Sequence, residues 1–388
     1  MVKLFSLMVC MVVVGVFSSV ARSESNDSPW VSFSTWFDHS CALTKAGKAY
    51  CWGNNQSGVL GNNTDDPSKV PTPVFGDISF ASISTGANHT CGISTVGQTY
   101  CWGRNDRAQL GQPSMDRAGK GTKDSRVPLL LPSDLKFSSV SAGMFGTCAL
   151  TTEGKAYCWG GNTNGEIGSD PGVSESSKPL AVKGKRTFAR IYAGRNSVCA
   201  LTSEGEAYCW GANGFGQFGD GSRSDQFAPT RAAGELTFAN ISLGELHMCG
   251  VTKDHKSYCW GGNNKGKLGT GSDLESQSFV PIIVTGKTEF VSLSAGIIHT
   301  CGLTAKGKAW CWGAGIVGQL GMPVPDGKTP VPVPVNTKLL FSSIQPANAT
   351  TCAMAMDKNI YCWGDNNYGK LGNDSTKSSF VPVLVETP

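Results

Sequence analysis

Seven times along this chain, two cysteines stand ten residues apart with Trp-Gly directly behind the second. The first copy reads CALTKAGKAYCWGNN, residues 41–55. The pairs are Cys41 with Cys51, Cys91 with Cys101, Cys148 with Cys158, Cys199 with Cys209, Cys249 with Cys259, Cys301 with Cys311 and Cys352 with Cys362. Their first members follow one another at intervals of 50, 57, 51, 50, 52 and 51 residues. A fixed period of this size marks a propeller, a solenoid or an array. It overrides the two or three domains that 388 residues suggest by length alone.

Within a copy the residues alternate as two strands around a three-residue loop, Lys45-Ala46-Gly47 in the first. Such loops commonly end on a left-handed residue, usually glycine. The register that follows pairs Thr44 with Lys48, Leu43 with Ala49, Ala42 with Tyr50 and Cys41 with Cys51. This puts the cysteines at a non-hydrogen-bonded position, where side chains approach closest. The Cβ separation there suits the roughly 3.5–4.5 Å of a disulfide. Gly97, Gly154, Gly205 and Gly307 hold the same turn position, whereas His255 and Lys358 replace it in two copies. Lysine tolerates that backbone region poorly, so the last hairpin is the weakest of the seven. The same register sets small residues opposite aromatics, Gly92 facing Tyr100, Ala149 facing Tyr157 and Gly302 facing Trp310, with the cross-strand ring expected to cover the glycine. Zinc pairs stand closer in sequence and converge as four ligands, so the pairs read as disulfides and no metal or cofactor is expected.

Two more extended segments flank each hairpin: an alternating piece such as FASISTG upstream, and a proline-led one such as VPIIV downstream. Four strands per repeat without a helical period give an all-β fold: a seven-bladed β-propeller with one intra-blade disulfide hairpin per blade. Proline suits an outer edge strand. The first repeat opens on WVSFSTW without the proline-led strand that precedes this piece elsewhere, and FVPVLVETP follows the seventh hairpin. Pairing these ends is expected to close the ring and remove its open edges.

Residues 1–23 carry Lys3, an apolar stretch from about Leu4 to Phe17, and then small residues. They read as a secretory signal peptide, followed by a short lead over 24–29 and the propeller over 30–388. Removing the leader takes the fifteenth cysteine, Cys10, and leaves fourteen, an even number that fits an oxidising compartment. Seven Asn-X-Ser/Thr sequons, at Asn26, Asn55, Asn62, Asn88, Asn240, Asn348 and Asn373, agree with a secretory route and are candidate glycosylation sites. The net charge of +4 is small and unclustered, which argues against nucleic acid as a partner. A secreted, extracellular monomer is expected.

The unit F.sIs.G..HtC.Lt..GkaYCWG.n..GqLG resembles the repeat of the regulator of chromosome condensation family, over about residues 30–388. The resemblance implies seven blades. The added cysteines are similar to those of secreted members such as crinkly-type receptor ectodomains. The exchange-factor activity of the founding nuclear member does not transfer to an exported, disulfide-bonded chain. A likeness to the propeller-type inhibitor protein of β-lactamases implies that the fold serves as a secreted inhibitor.

In repeats, function is sought where the units disagree. Between the alternating strand and the hairpin lie Trp36-Phe37-Asp38, Ala87-Asn88, Met144-Phe145, Arg195-Asn196, Glu245-Leu246, Ile297-Ile298 and Ala347-Asn348. Bulky apolar residues in turns that crowd one channel mouth, rimmed by Arg195 and Glu245, read as a binding site for an extracellular or cell-surface protein. The alternative role for these side chains is to plug the channel. A second set follows Trp-Gly: Arg104 to Arg107, Asn213 to Phe215, Ile316-Val317 and Asn366 to Tyr368. These read mainly as turns, with Phe215, Val317 and Tyr368 as candidate contacts. The insert QPSMDRAGKGTKDSRV reads as a solvated loop. His39, His89, His247 and His299 all stand two residues before a first cysteine, which points to structural hydrogen bonding. The competing functional reading is a small-molecule site or enzyme in an axial pocket where Asp38, Arg195 and Glu245 converge.

Overall fold

The computed structural model describes residues 28–114 and 124–388. The expected signal peptide, the first residues of the lead, Asn26 and most of the long insert lie outside the described residues. The described chain forms seven antiparallel four-stranded sheets, each made of strands consecutive in sequence. In blade 1 these are β1 (Trp30–Trp36), β2 (His39–Thr44), β3 (Ala49–Gly53) and β4 (Ser68–Pro73). The six further blades begin at Phe80, Phe137, Arg190, Phe238, Ser292 and Phe341.

The hairpin register is as the spacing requires. Cys41 pairs with Cys51, Ala42 with Tyr50 and Leu43 with Ala49, and the Thr44 N–H donates to the Lys48 carbonyl at 3.0 Å. All seven expected disulfides form. Cys41 is bonded to Cys51, Cys91 to Cys101, Cys148 to Cys158 and Cys199 to Cys209. Cys249 is bonded to Cys259, Cys301 to Cys311 and Cys352 to Cys362. Their Cα atoms are 4.0–4.1 Å apart, the close approach of a non-hydrogen-bonded pair. The turn residue is left-handed throughout, including His255 at φ 62° and Lys358 at φ 70°. The last hairpin therefore closes like the others.

Three expectations need correction. The ring covering the strand glycines is not the cross-strand aromatic. A Cβ on Gly92, Gly250 or Gly302 would stand 2.6–2.7 Å from Phe80, Phe238 or Phe290, the phenylalanines near the start of the blades' inner strands. Tyr100 instead packs edge-on against Phe80, with centroids 6.1 Å apart. The prolines lie within the outermost strand rather than at its head, as Pro128 does in Ser125–Leu130. The edge placement holds, because that strand is last in its sheet.

The third correction concerns closure. No strand is exchanged between the ends: the last sheet runs Phe341–Pro346, Thr350–Ala355, Ile360–Gly364, Ser379–Leu384 in sequence order. Each blade buries its motif tryptophan in the preceding blade, and the seam repeats that contact. Trp102 Nε1 donates to the Val59 carbonyl at 2.9 Å, and Trp210 to Glu166 at 2.9 Å. Across the seam, Trp52 donates to Lys370 at 3.0 Å. All seven of these tryptophans are fully buried. The Leu-Gly glycine lies beneath the next blade's indole: a Cβ on Gly61 would stand 2.6 Å from Trp102 Nε1. The recurring Trp-Gly and Leu-Gly pairs are thus two halves of one inter-blade joint.

Candidate functional site

Because the strands of a blade alternate in direction, the loop joining its first and second strands and the loop joining its third and fourth emerge at the same end. The two loop sets form one face. Gly262 shows the contact: a Cβ built there would be 3.4 Å from Leu246 and 3.7 Å from the Phe215 ring. Gly161 similarly stands between Phe145 and Arg107. Sequence reasoning kept the two sets apart because their residues are far apart in the chain. The strand count already held the signal that joins them.

An asparagine organises the outer loop in six of the seven blades. Asn55 Oδ1 accepts the Leu60 N–H at 2.9 Å, while its Nδ2 donates to the Thr64 and Asp66 carbonyls at 3.0 and 2.9 Å. Asn105, Asn162, Asn213, Asn263 and Asn366 repeat the acceptance from the residue five positions on. Blade 6 has Gly315 at this position. These asparagines were readable in the sequence as the last residue of a recurring Trp-Gly-X-Asn.

Backbone bonds tie neighbouring inner loops together at five of the seven blade junctions. The N–H groups of Ala87, Met144, Glu245 and Ile297 donate to Gly143, Gly194, Gly296 and Ala347 of the following blades, and Asn348 donates to Phe37 across the seam. Trp36, Phe37, Asp38, Met144, Phe145, Arg195, Glu245, Leu246 and Ile298 are all partly exposed. Ile297 is buried, at 6% exposure. Farther out, Phe215, Tyr368 and Ile316 are 43%, 53% and 65% exposed.

Asp38, Arg195 and Glu245 do not converge. Arg195 Nη1 and Glu245 Oε1 pair at 2.5 Å between blades 4 and 5. Asp38 belongs to the seam, where buried Lys370 reaches its Oδ1 at 2.9 Å and Asp365 at 2.5 Å. Lys267 is also buried, donates to the Ile297 carbonyl at 3.0 Å, and is lowered to about 8 by burial, partly offset by Glu245.

The axial channel has a volume of about 420 Å³ and is lined by the inner strands of all seven blades, by Ser and Thr hydroxyls, Tyr192, Asn240 and Gln345 interspersed with apolar side chains such as Trp36, Ile241, Leu293 and Ile344. Of the inner-loop candidates only Trp36 lines it; Met144, Phe145, Leu246 and Ile298 do not plug it. The acid–base set of the pocket reading is likewise not among its lining residues. Several serines bridge blades here: Ala142 N–H donates to Ser84 Oγ at 3.0 Å and Ala295 N–H to Ser242 Oγ at 2.9 Å.

The four histidines are structural. His39, His89, His247 and His299 Nε2 lie 2.7–2.8 Å from the hydroxyls of Thr90, Thr147, Thr300 and Thr351 in the next blade. Each hydroxyl donates to a carbonyl, so the imidazole nitrogen facing it is the donor. Burial lowers His39 to about 4 and His89 and His299 to about 3, and holds His247 well below its ordinary value. The blades without this histidine carry Gly146, Ser197 and Thr350, and the next blades have Val198, Met248 and Ser40 in place of threonine. Among the described residues no cluster of His, Cys, Asp or Glu gathers to hold a metal, and no helix is long and apolar enough to cross a membrane.

Seven disulfide-bonded blades around an axial channel, with two loop rings on one face, define a β-propeller of the repeat class. The RCC1-like domain model matches residues 19–345, and a regulator of chromosome condensation repeat matches 357–388. The chain belongs to this family. It is 28% identical to the Arabidopsis thaliana ultraviolet-B receptor UVR8 over 267 residues, which are 67% of this chain and 60% of the receptor. The match therefore spans less than two thirds of that relative. Among solved structures, yeast RCC1 (Prp20) bound to Kap60 superposes with a TM-score of 0.77 at 20% identity, covering 100% of this chain and 90% of that one. The ectodomain of the Arabidopsis receptor kinase ACR4 gives a TM-score of 0.54 at 20% identity over 87% of this chain and 96% of that one. At these identities the likeness speaks to fold.

Proposed function

We propose that this propeller is a secreted binding module that engages an extracellular or cell-surface protein through its loop face, with inhibition of a foreign enzyme as one form of that activity. The carrying observation is the union of the two loop rings, which brings Phe145, Phe215, Leu246, Ile298 and Ile316 to one end of the molecule, partly or largely exposed. Large apolar side chains grouped on a rigid rim are what protein-binding hot spots require. The yeast RCC1 (Prp20) that shares this fold was solved with Kap60 bound to it. Export is supported by the seven disulfides, by the leader-like residues 1–23 and by the sequons.

The test is capture from the extracellular medium with wild type beside a variant carrying Met144→Ser, Phe145→Ser, Leu246→Ser and Ile298→Ser. Ile297 is left intact because it is buried. A partner retained by wild type and lost by the variant, with both unfolding at the same temperature, supports the reading. Equal capture by both removes the inner loops from the site. A second reading rests on the channel: its mixed lining of hydroxyls and apolar side chains, with no ionisable acid or base among them other than Tyr192, fits a small neutral ligand.

A further inference from the structure

The sequons sort by their burial and by what their side-chain amides bond. Attaching a sugar to Nδ2 replaces one of its two hydrogens and needs open space beyond it. Asn55 offers neither. It is fully buried, and the two hydrogens of its Nδ2 are shared among acceptors that include the Thr64 and Asp66 carbonyls at 3.0 and 2.9 Å and Asn62 Oδ1 at 3.1 Å. Asn240 lies on an inner strand and lines the axial channel, where no branched oligosaccharide fits.

Asn62 and Asn373 are the opposite case and hold the same position in two blades. Each turns Oδ1 inward, accepting Nδ2 of the loop asparagine, Asn55 at 3.1 Å and Asn366 at 3.2 Å. Both residues are partly exposed, and a glycosylated asparagine keeps that acceptor, so the inward bond is compatible with the modification. Asn88 and Asn348 stand at matching positions in the inner loops, partly exposed. Asn348 Nδ2 makes one long contact, 3.4 Å to Asp38.

We infer that N-glycans are carried by Asn62, Asn88, Asn348 and Asn373 and not by Asn55 or Asn240. The four carriers lie in blades 7, 1 and 2, which are consecutive around the closed ring, and all four are on the loop face. The cleft of about 870 Å³ between the outer loops of blades 1 and 2, lined by Asn63 and Tyr368, falls in this sugar-bearing sector. Phe145, Phe215, Leu246, Ile298 and Ile316 fall in the sugar-free sector, blades 3–6. The modification thus confines a partner to one side of the face. This inference rests on the export reading above.

The test uses the full chain secreted from eukaryotic cells, deglycosylated enzymatically in heavy-oxygen water and mapped by peptide mass spectrometry. Labelled aspartate is expected at positions 62, 88, 348 and 373, with unmodified asparagine at 55 and 240. Singly, Asn62→Gln, Asn88→Gln, Asn348→Gln and Asn373→Gln should each remove one step of gel mobility. Ser57→Ala and Ser242→Ala, which abolish the buried sequons while keeping their asparagines, should remove none. Export with label at 55 or 240, or without label at the four sites, overturns the map alone. Retention inside the cell with no sugar at any site overturns the export reading and the map with it.

Discussion

At the scale of single residues, the features that repeat are joints between blades. The histidines illustrate how far sequence went. Their identical placement before a cysteine announced a structural role, but their threonine partners lie one blade on, and only the structure pairs them. The pairing was nonetheless present as a correlation, since each blade with histidine precedes one with threonine at the next position. A pH consequence follows. Burial holds these imidazoles neutral to about 4 or below, whereas in the unfolded chain they protonate near 6.5. Below about pH 6.5 the unfolded state binds more protons, so stability is fully present above that pH and is lost as pH falls toward 4. We expect the urea midpoint to drop between pH 7 and 4.5. In a His89→Gln variant, which keeps a donor toward Thr147, the drop should be smaller.

The element scale is where sequence spoke most clearly. Hairpin, turn and register were legible because a ten-residue bridge and a left-handed turn are local constraints. The covering of the strand glycines was misassigned because the phenylalanine above them comes from a different strand, and strand-to-strand packing is not encoded in hairpin arithmetic. The last hairpin is the place to measure turn cost. Lys358 adopts φ 70°, a region glycine occupies without strain. Lys358→Gly should therefore raise the unfolding free energy by about 0.5–1 kcal/mol, read from chemical denaturation. Gly307→Lys, the reverse change in the preceding blade, should lower it by more than this, because a Cβ there would also stand 2.9 Å from the Phe341 carbonyl oxygen.

At the scale of the whole molecule, seven blades were legible from the period, but their phase was not. A circular repeat cut at any point gives the same list of segments, and only packing decides which strand opens a blade. Here Trp30 takes the buried place that phenylalanine holds elsewhere, which makes it the start of blade 1 rather than the end of a shared one. The candidate site was legible as a list of deviant loops. Its union with the outer loops, and the separation of Asp38 from Arg195 and Glu245, depend on three-dimensional neighbours. If the seam is one joint among seven, Trp52→Phe and Trp210→Phe should destabilise alike. Each loses a buried bond to a carbonyl and leaves a small void, at about 2–4 kcal/mol. A much larger loss for Trp52 in thermal unfolding would mark the seam as special.

Because every blade is contiguous in the chain, the order of synthesis is also an order of assembly. Each sheet and its bridge are complete once their own stretch has emerged, with the second cysteine of every pair only ten residues behind the first. No early strand is held open for a late one. The step that waits for the final residues is the docking of the seventh blade onto the first, where Lys370 meets both Trp52 and Asp38.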